Sequence, residues 1–437
     1  MRTEDDLRRL LSDAAQRAAG PSPDARARVG RYVRRQRAWR VGAVAGVAIA
    51  LAAFGLVTLT RPDHRASVRV VSHGPNPSPA SVPGPEPDTR SSISTTTPTG
   101  TVPAGFIAAS ITFVSPKDGF VLGSAPCLSA RPCTVILRTS DTGRTWQRIP
   151  APAADVGADN APGSVSHIRF ATTTDGWVYG PDLWATHDGG LRWSKIHVDG
   201  QVEDLEASAG VAHYIVLVSG DTPAQHELAS TPIGHEAWEL SANSLDQGAA
   251  PVADAHIVLQ GRRGWVLVNA RTVDAGARLT PDGWVLWHPP CADVFGPAAL
   301  MAPTAGEVIA LCSEGAWGGD KPPSNHLYFS ANGGDSFARV RTDVPSPSLE
   351  AAAANADTVV VGRSSKDKYE LVATFDRGHT WTTVFSTAVV DPIVDLGFTT
   401  PDQGVAIQPD ADHHTSRLLL TTDGGHHWRA LPIRGST

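Results

Sequence analysis

The chain has 437 residues, a formal charge of −7, 41% hydrophobic residues and 19% charged residues. That length is room for about three domains, with enough apolar content to bury their cores. Positive charge gathers in the first forty residues and the remainder is acidic, which excludes non-specific nucleic-acid binding by the main body, since phosphate needs basic partners.

Residues 1–40 contain one helix candidate. Thr3 and Asp6 form a capping pattern with Asp in place of Glu. Leu7, Leu10, Leu11, Ala14, Ala15 and Ala18 follow at helical spacing. The segment reads as a short amphipathic helix lying before a membrane anchor, or docking on a partner. It has no His and no Cys, so a zinc-held regulatory domain is excluded.

From Val41 to Thr60 there are 20 uncharged residues between Arg40 and Arg61. As a helix this run spans roughly 30 Å, the thickness of a hydrocarbon core. Arg31, Arg34, Arg35, Arg37 and Arg40 precede it. The positive-inside rule then places the N-terminus in the cytoplasm and the rest outside the cell membrane. The run is long for a cleaved signal peptide and starts late, so the expectation is a single-pass signal anchor over 41–60.

Residues 61–104 read as a linker. Pro75, Pro77, Pro79, Pro83, Pro85, Pro87, Pro98 and Pro103 alternate with Ser and Thr, a composition that forms an extended, semi-rigid spacer. Val68, Val70 and Val71 are the one stretch there with strand character.

An internal repeat fills residues 105–437. Thr139-Ser140-Asp141-Thr142-Gly143-Arg144-Thr145-Trp146 has the pattern S/T-x-D-x-G-x-T-W, and Thr374, Asp376, Gly378, Thr380 and Trp381 repeat it. Thr186, Asp188, Gly190 and Trp193 lack only the second Thr, as do Thr421, Asp423, Gly425 and Trp428. Ser330, Asn332, Gly334, Ser336 and Phe337 form a conservative copy. Two copies are eroded: Thr280, Asp282 and Trp287 survive in one, Thr231 and Trp238 in the other. The terminal aromatics Trp146, Trp193, Trp238, Trp287, Phe337, Trp381 and Trp428 stand 47, 45, 49, 50, 44 and 47 residues apart. Seven units of that length use up the exterior segment.

The octads resemble the Asp-box, or bacterial neuraminidase repeat, and the chain is similar to that β-propeller superfamily across 105–437. A second recurring element, strand–polar turn–Gly–strand, appears at Ile111–Gly123, Ile168–Gly180, Ile257–Val268 and Leu396–Ile407. The pairing is closest in pattern to the photosystem II stability and assembly factor branch. The resemblance implies an all-β, seven-bladed β-propeller of four-stranded antiparallel blades. It implies no particular activity, because enzymes, receptors and assembly factors share the fold. In this reading the octad is a hairpin turn. Its Asp accepts backbone N–H groups, its Gly takes positive φ, and its Trp packs between sheets. Asp141, Asp188, Asp376 and Asp423 are therefore scaffolding.

Strands a to d of the first blade are expected near 109–115, 119–124, 134–140 and 145–150. Those of the last are expected near 393–399, 404–408, 416–421 and 428–433. The a–b and c–d turns are short and share one face. The b–c and d–a loops are long and share the other, which is therefore the expected functional face. Four cysteines permit three pairings. Cys127 and Cys133 flank one b–c loop, while Cys291 and Cys312 border the blade 4–5 connection. Those two pairings are expected, as is an oxidising compartment.

Candidate chemistry is sparse. Sialidases of this superfamily use an Arg triad, a Tyr–Glu pair and an Asp. Here the Arg148-Ile149-Pro150 motif follows the first octad instead of preceding it. Strand a segments, which line the channel, supply Arg169, Asp204, Glu206, Glu350 and Asp395. Asp410, Asp412, His413 and His414 cluster in one loop, but His426 and His427 fall on the opposite face, so no metal site is assigned. No cofactor is expected. Trp184, Trp317 and Arg169 are the candidate ligand contacts. The expected role is non-catalytic binding of a protein or a cell-envelope glycan at the b–c/d–a face. The alternative is a sialidase-like or related glycoside hydrolase.

Overall fold

The computed structural model describes residues 100–437 except 128–131, 158–160, 219–224, 243–244, 247–253, 270–272, 293–297, 315–323, 347, 411–414 and 435–437. The expected membrane helix at 41–60, the linker and the Val68–Val71 stretch lie outside the described residues. Among the described residues no helix is long and apolar enough to cross a membrane.

Seven antiparallel sheets follow one another along the chain, each ordered a-b-c-d. Blade 1 is built from Ile107–Phe113, Gly119–Ala125, Cys133–Thr139 and Gln147–Ile149. Blade 2 uses His167–Phe170, Gly176–Tyr179, Leu183–Thr186 and Ser194–Ile196. Blade 3 uses Gln201–Ser208, Val211–Val218, Gln225–Pro232 and Glu239–Leu240, with Leu245–Asp246 also pairing to strand c. Blade 4 uses Asp254–Gln260, Arg263–Asn269, Val273–Thr280 and Gly283–Leu286. Blade 5 uses Ala298–Met301, Val308–Glu314, Ser324–Ser330 and Ala338–Arg339. Blade 6 uses Ala351–Ala353, Val359–Ser364, Tyr369–Thr374 and Thr382–Thr387. Blade 7 uses Val394–Phe398, Gly404–Asp410, Thr415–Thr421 and Arg429–Pro432. The fold is a seven-bladed β-propeller.

One four-stranded blade cannot bury both of its faces, so each face packs on a neighbour. Seven hydrophobic clusters fill the seven joints. At the first, Phe120, Leu122 and Ile136 of blade 1 meet Ile168, Phe170 and Val178 of blade 2. At the last, Val405, Ile407, Leu418 and Leu420 of blade 7 meet Ile111, Phe113 and Val121 of blade 1. Among the described residues the ring thus closes with every blade made from consecutive strands and none shared. Polar bonds support that joint. The Ala108 N–H donates to Ser416 Oγ at 2.8 Å, Gln403 Nε2 to the Pro116 carbonyl at 3.2 Å, and the Trp146 N–H to the Arg434 carbonyl at 3.0 Å. Gly100 exchanges backbone bonds with Arg148 at 2.7 and 3.3 Å. Both ends of the described chain therefore meet at strand d of blade 1.

The octads make the turns for which their residue types are suited. In blade 1, Asp141 Oδ1 accepts the Thr145 N–H at 2.9 Å and Oδ2 accepts the Thr145 hydroxyl at 2.7 Å. Thr139 Oγ1 donates to Asp141 at 2.8 Å and accepts the Gly143 N–H at 3.0 Å. Blades 2, 5, 6 and 7 repeat the bond from residue 8−1 of the octad to its acidic or amide position: Arg192 to Asp188, Ser336 to Asn332, Thr380 to Asp376 and His427 to Asp423. Gly190 shows why that position is glycine. Its φ is +85°, and a Cβ there would sit 2.6 Å from Ile149 of the preceding blade. In blade 4 the Thr280 hydroxyl instead donates to the Gly283 carbonyl at 2.9 Å, closing a tight hairpin around Asp282. Trp287 serves the next joint, donating its indole N–H to Gly334 at 2.9 Å.

The five well-kept octads also tie the c–d turn to the a–b turn of their own blade. The Thr142, Gly189, Gly333, Arg377 and Gly424 N–H groups donate to Lys117, Thr174, Gly306, Asp357 and Asp402 carbonyls at 2.8–3.0 Å. The two turn types therefore share a face. The strand a aromatics are part of the same device: Phe113, Phe170 and Phe398 meet Trp146, Trp193 and Trp428 edge-on at 6.4, 6.1 and 6.1 Å.

Candidate functional site

Strands a of most neighbouring blades touch one another around the centre of the ring. In blades 1 to 4 an apolar residue, Ile111, Ile168, Leu205 or Ile257, pairs with strand b and enters a joint. The residues just before it are Ser110, His167, Asp204 and His256; those just after include Thr112, Arg169 and Glu206. Alternation along a strand puts these flanking side chains on the face away from the apolar residue. Glu350 and Asp395 hold the preceding position in blades 6 and 7.

The flanking residues staple one blade to the next. Ser110 Oγ accepts the Ile168 N–H at 3.0 Å, Asp204 Oδ2 accepts the Ile257 N–H at 2.9 Å, and Asp395 Oδ2 accepts the Ile111 N–H at 2.7 Å. In blades 1, 3 and 7 a bulge in strand a lies at or beside this residue, and bulges re-aim side chains in this way. Asp395 also takes a left-handed backbone, φ +52°.

The same group carries concentrated charge. Arg169 Nη2 contacts Glu206 Oε1 at 2.6 Å, with the two side chains 32% and 25% exposed. Tyr179 donates its hydroxyl to Asp204 Oδ1 at 3.0 Å, and buried Tyr369 donates to Glu350 Oε2 at 3.2 Å. Burial pushes Glu206 up to about 7; Asp204 and Asp395 add repulsion, while Arg169 works the other way. Burial also lifts Glu350 to about 7, opposed by the Tyr369 bond and helped by Asp395. Burial acts upward on Asp204 too, but His256, the Ile257 N–H and Arg169 outweigh it and hold Asp204 below its ordinary range. Asp395 thus acts on Glu206 and Glu350, which belong to blades 3 and 6. The channel residues read from the sequence are brought together. Tyr179, Tyr369 and His256 were not picked out there. Only His256 had a signal, since it precedes Ile257 as Asp204 precedes Leu205.

On the opposite side from the octads lie the b–c and d–a connections. Both expected disulfides are present. Cys127–Cys133 closes the blade 1 b–c loop with Cα atoms 5.8 Å apart, and Cys291–Cys312 ties the blade 4–5 connection to strand b of blade 5 at 5.6 Å. Trp184 departs from expectation. The Gly180–Asp182 turn is tight, so Trp184 falls inside strand c, 4% exposed in the blade 1–2 joint, with Lys195 Nζ 5.9 Å over its ring. It is a core residue and not an exposed anchor. Trp317, Asp412, His413 and His414 lie outside the described residues. On the turn face His426 stacks on Phe375 at 3.8 Å and His427 Nδ1 lies 2.6 Å from Asp423. Among the described residues no cluster of His, Cys, Asp and Glu is arranged to hold a metal.

A second polar cluster sits at the loop end of blade 5. Glu314 accepts the Tyr328 hydroxyl at 2.8 Å and two Arg339 N–H groups at 3.1 Å. His326, 4% exposed, lies 3.3 Å from Asp343 and 3.1 Å from Ser324 Oγ. These residues come from strands b, c and d and the following connection, so no local motif announces them.

No protein-family model matches this chain, and no curated protein matches it. Solved structures do. YCF48 from Cyanidioschyzon merolae is 15% identical, with 75% of this chain and 96% of that one covered and a TM-score of 0.45. YCF48 bound to D1 peptide gives 15%, 75%, 94% and 0.45. A prolyl endopeptidase gives 11% identity over 75% of this chain and 50% of that one, with a TM-score of 0.51. The likeness is one of fold.

Proposed function

We propose that this is a membrane-anchored, extracytoplasmic propeller that binds a protein or cell-envelope glycan on its b–c/d–a face without catalysis. The observation that carries the reading is the placement of both disulfides. They secure loop-face connections, whereas the opposite face is held by octad hydrogen bonds and Phe–Trp contacts without a disulfide among the described residues. Disulfides persist in oxidising compartments, which agrees with the N-in anchor read at 41–60. Rigid presentation of long loops is what a binding surface needs. The octad bonds support the resemblance to Asp-box propellers. The channel acids support binding over hydrolysis, because Asp204, Glu206, Glu350 and Asp395 are each engaged by protein groups.

Two measurements test this. With all described cysteines in disulfides, Ser81→Cys labelled by a membrane-impermeant maleimide in intact cells, and Ser12→Cys unlabelled, is the expected topology. The reverse pattern removes the anchor reading. A photo-crosslinking residue at Asp343, 68% exposed on the blade 5–6 connection, should capture the partner. The same residue at Arg192, 88% exposed in an octad turn, should not. Equal capture from both faces defeats the assignment of faces.

Glycoside hydrolysis is the second reading, and one observation favours it: Glu206 and Glu350, held near 7, have the protonation a general acid needs. Among the described strand a residues Arg169 is the one arginine, which does not match a sialidase triad. Turnover of a glycoside panel that disappears in Glu350→Gln or Glu206→Gln would establish the hydrolase instead.

A further inference from the structure

Ser324 and His326 stand two residues apart on strand c of blade 5, so their side chains share one face. Register sets Ser324 opposite Glu314 and His326 opposite Cys312 on strand b, and the Cys291–Cys312 disulfide pins that strand. Ser324 Oγ lies 3.1 Å from His326 Nε2. On the other side of the ring, Nδ1 is buried without a hydrogen bond and faces Asp343 Oδ1 at 3.3 Å. A hydroxyl on Nε2 with a carboxylate on Nδ1 is the connectivity by which an imidazole activates a serine.

The surrounding charges select the tautomer this needs. Asp343 draws the ring proton to Nδ1. Glu314 Oε2 lies 3.6 Å from Nε2, but Glu314 already accepts the Tyr328 hydroxyl and two Arg339 N–H groups. Nε2 is thereby left to accept from Ser324. When Nε2 takes the hydroxyl proton it becomes an imidazolium, in a side chain only 5% exposed, where a charge is costly unless paired. Asp343 and Glu314 flank the ring and offset that cost.

We propose that Ser324 is an acyl-accepting serine, with His326 as its base and Asp343 positioning the ring. The donor is an uncharged ester or thioester. Asp343 and Glu314 outnumber Arg339 around the ring, so an anionic phosphoryl donor is repelled. Ser324 Oγ attacks the acyl carbon and forms the new ester bond, while its proton passes to Nε2. The bond from the acyl carbon to the leaving oxygen or sulfur breaks, and the leaving group departs with the electron pair and takes that proton. Each chain is acylated once, without turnover, and the step does not rest on the binding reading.

The test is p-nitrophenyl acetate added to the full chain in detergent, followed by peptide mass mapping. Acetyl should gather on Ser324 to about one equivalent, ahead of Ser194, which is exposed on strand d of blade 2. Unfolding in urea should remove that preference. In His326→Gln the rate at Ser324 should fall about a hundredfold, the lower end of what a general base contributes. In Asp343→Asn, at a position 68% exposed, it should fall about tenfold with the melting temperature unchanged, since solvent screens the lost charge. Labelling of Ser324 no faster than Ser194, or at the wild-type rate in either variant, overturns the proposal. Should His326→Gln not fold, Asp343→Asn and the ratio of Ser324 to Ser194 labelling decide by themselves.

Discussion

Asp395 of the last blade accepts the backbone N–H of Ile111 in the first, at 2.7 Å, from a residue with φ +52°. The position needs both a short acceptor and tolerance of left-handed backbone. Asn meets both needs, Gly only the second, and Ala neither. Asp395→Asn should therefore be nearly neutral, with Asp395→Gly worse and Asp395→Ala worst. Loss of the acceptor leaves a buried N–H unsatisfied at about 1–3 kcal/mol, and the left-handed alanine adds about 1 kcal/mol. Denaturant titration of the three variants checks the order. Equal effects of Gly and Ala would show that the backbone is not strained there.

The octad carboxylates predict a different pattern. Thr380, through its hydroxyl and its N–H, holds Asp376 down at about 2. In Asp423 slight burial opposes this, but His427 prevails and the group again sits at about 2. A depressed carboxyl stabilises the fold above its ordinary 3.8, and that contribution is lost as pH falls to about 2. Asn332 fills the same place in blade 5, accepting the Ser336 N–H at 3.0 Å and donating to its hydroxyl at 2.9 Å. Asp376→Asn should thus keep the neutral-pH melting temperature and lose part of the drop below pH 4. Asp376→Ala should melt lower at every pH. Equal melting of the two variants at neutral pH would mean that the turn does not use the acceptor.

The sequence carried the architecture because the repeat is local. Asp141 and Thr145, or Asp376 and Thr380, lie within one turn, so spacing alone reveals their bond. The channel acids were also legible, since each precedes or follows an apolar strand a residue. Their partners were not. Tyr179 reaches Asp204 from a different blade, and that contact depends on which face of strand b turns inward. Trp184 misled for a related reason. Gly180-Pro181 looks like the start of a loop, yet the turn ends at Asp182 and strand c starts at Leu183. Ring closure through Ser416, Asp395 and Arg434 joins residues about 300 apart and leaves no periodic trace.

The two disulfides should differ in weight. Cys291 and Cys312 are separated by 21 residues, Cys127 and Cys133 by 6. Loop-closure entropy then gives about 3 kcal/mol for the first and about 2 kcal/mol for the second. Cys291 and Cys312 are also fully buried in the blade 4–5 joint, so their bond should resist reductant longest. Paired Cys→Ala variants compared by melting temperature, with mass mapping of partly reduced protein, check both statements. Earlier reduction of Cys291–Cys312 would contradict the burial argument.

Two tryptophans at equivalent octad positions should respond unequally to Phe. Trp193 donates its indole N–H to the Pro150 carbonyl at 3.1 Å, whereas the Trp146 indole N–H, also buried, has no protein acceptor. Trp→Phe removes similar apolar area at both. At Trp193 it also leaves the Pro150 carbonyl without this donor, adding about 1 kcal/mol. At Trp146 it removes an unsatisfied donor and regains part of the lost area term. Trp193→Phe should therefore destabilise more than Trp146→Phe. The reverse order would place a water on the Trp146 indole.

His213 predicts the acid limb. It is 6% exposed in strand b of blade 3, and the Trp284 indole of blade 4 donates to its Nδ1 at 3.2 Å. Burial lowers its pKa to about 4, and the Trp284 bond needs the unprotonated nitrogen. A His depressed below its unfolded value of about 6.5 costs the folded state as pH falls from 6.5 to 4, on the order of 3 kcal/mol in all. This runs against Glu206 and Glu350, which favour the folded state over a similar window. Two such glutamates outweigh one histidine, so wild-type stability should rise, though only in part, as pH falls from 7 to 4.5. His213→Gln, which keeps an acceptor without a charge, should make that rise steeper. A His213→Gln profile no steeper than wild type would show that His213 does not carry the acid-side cost.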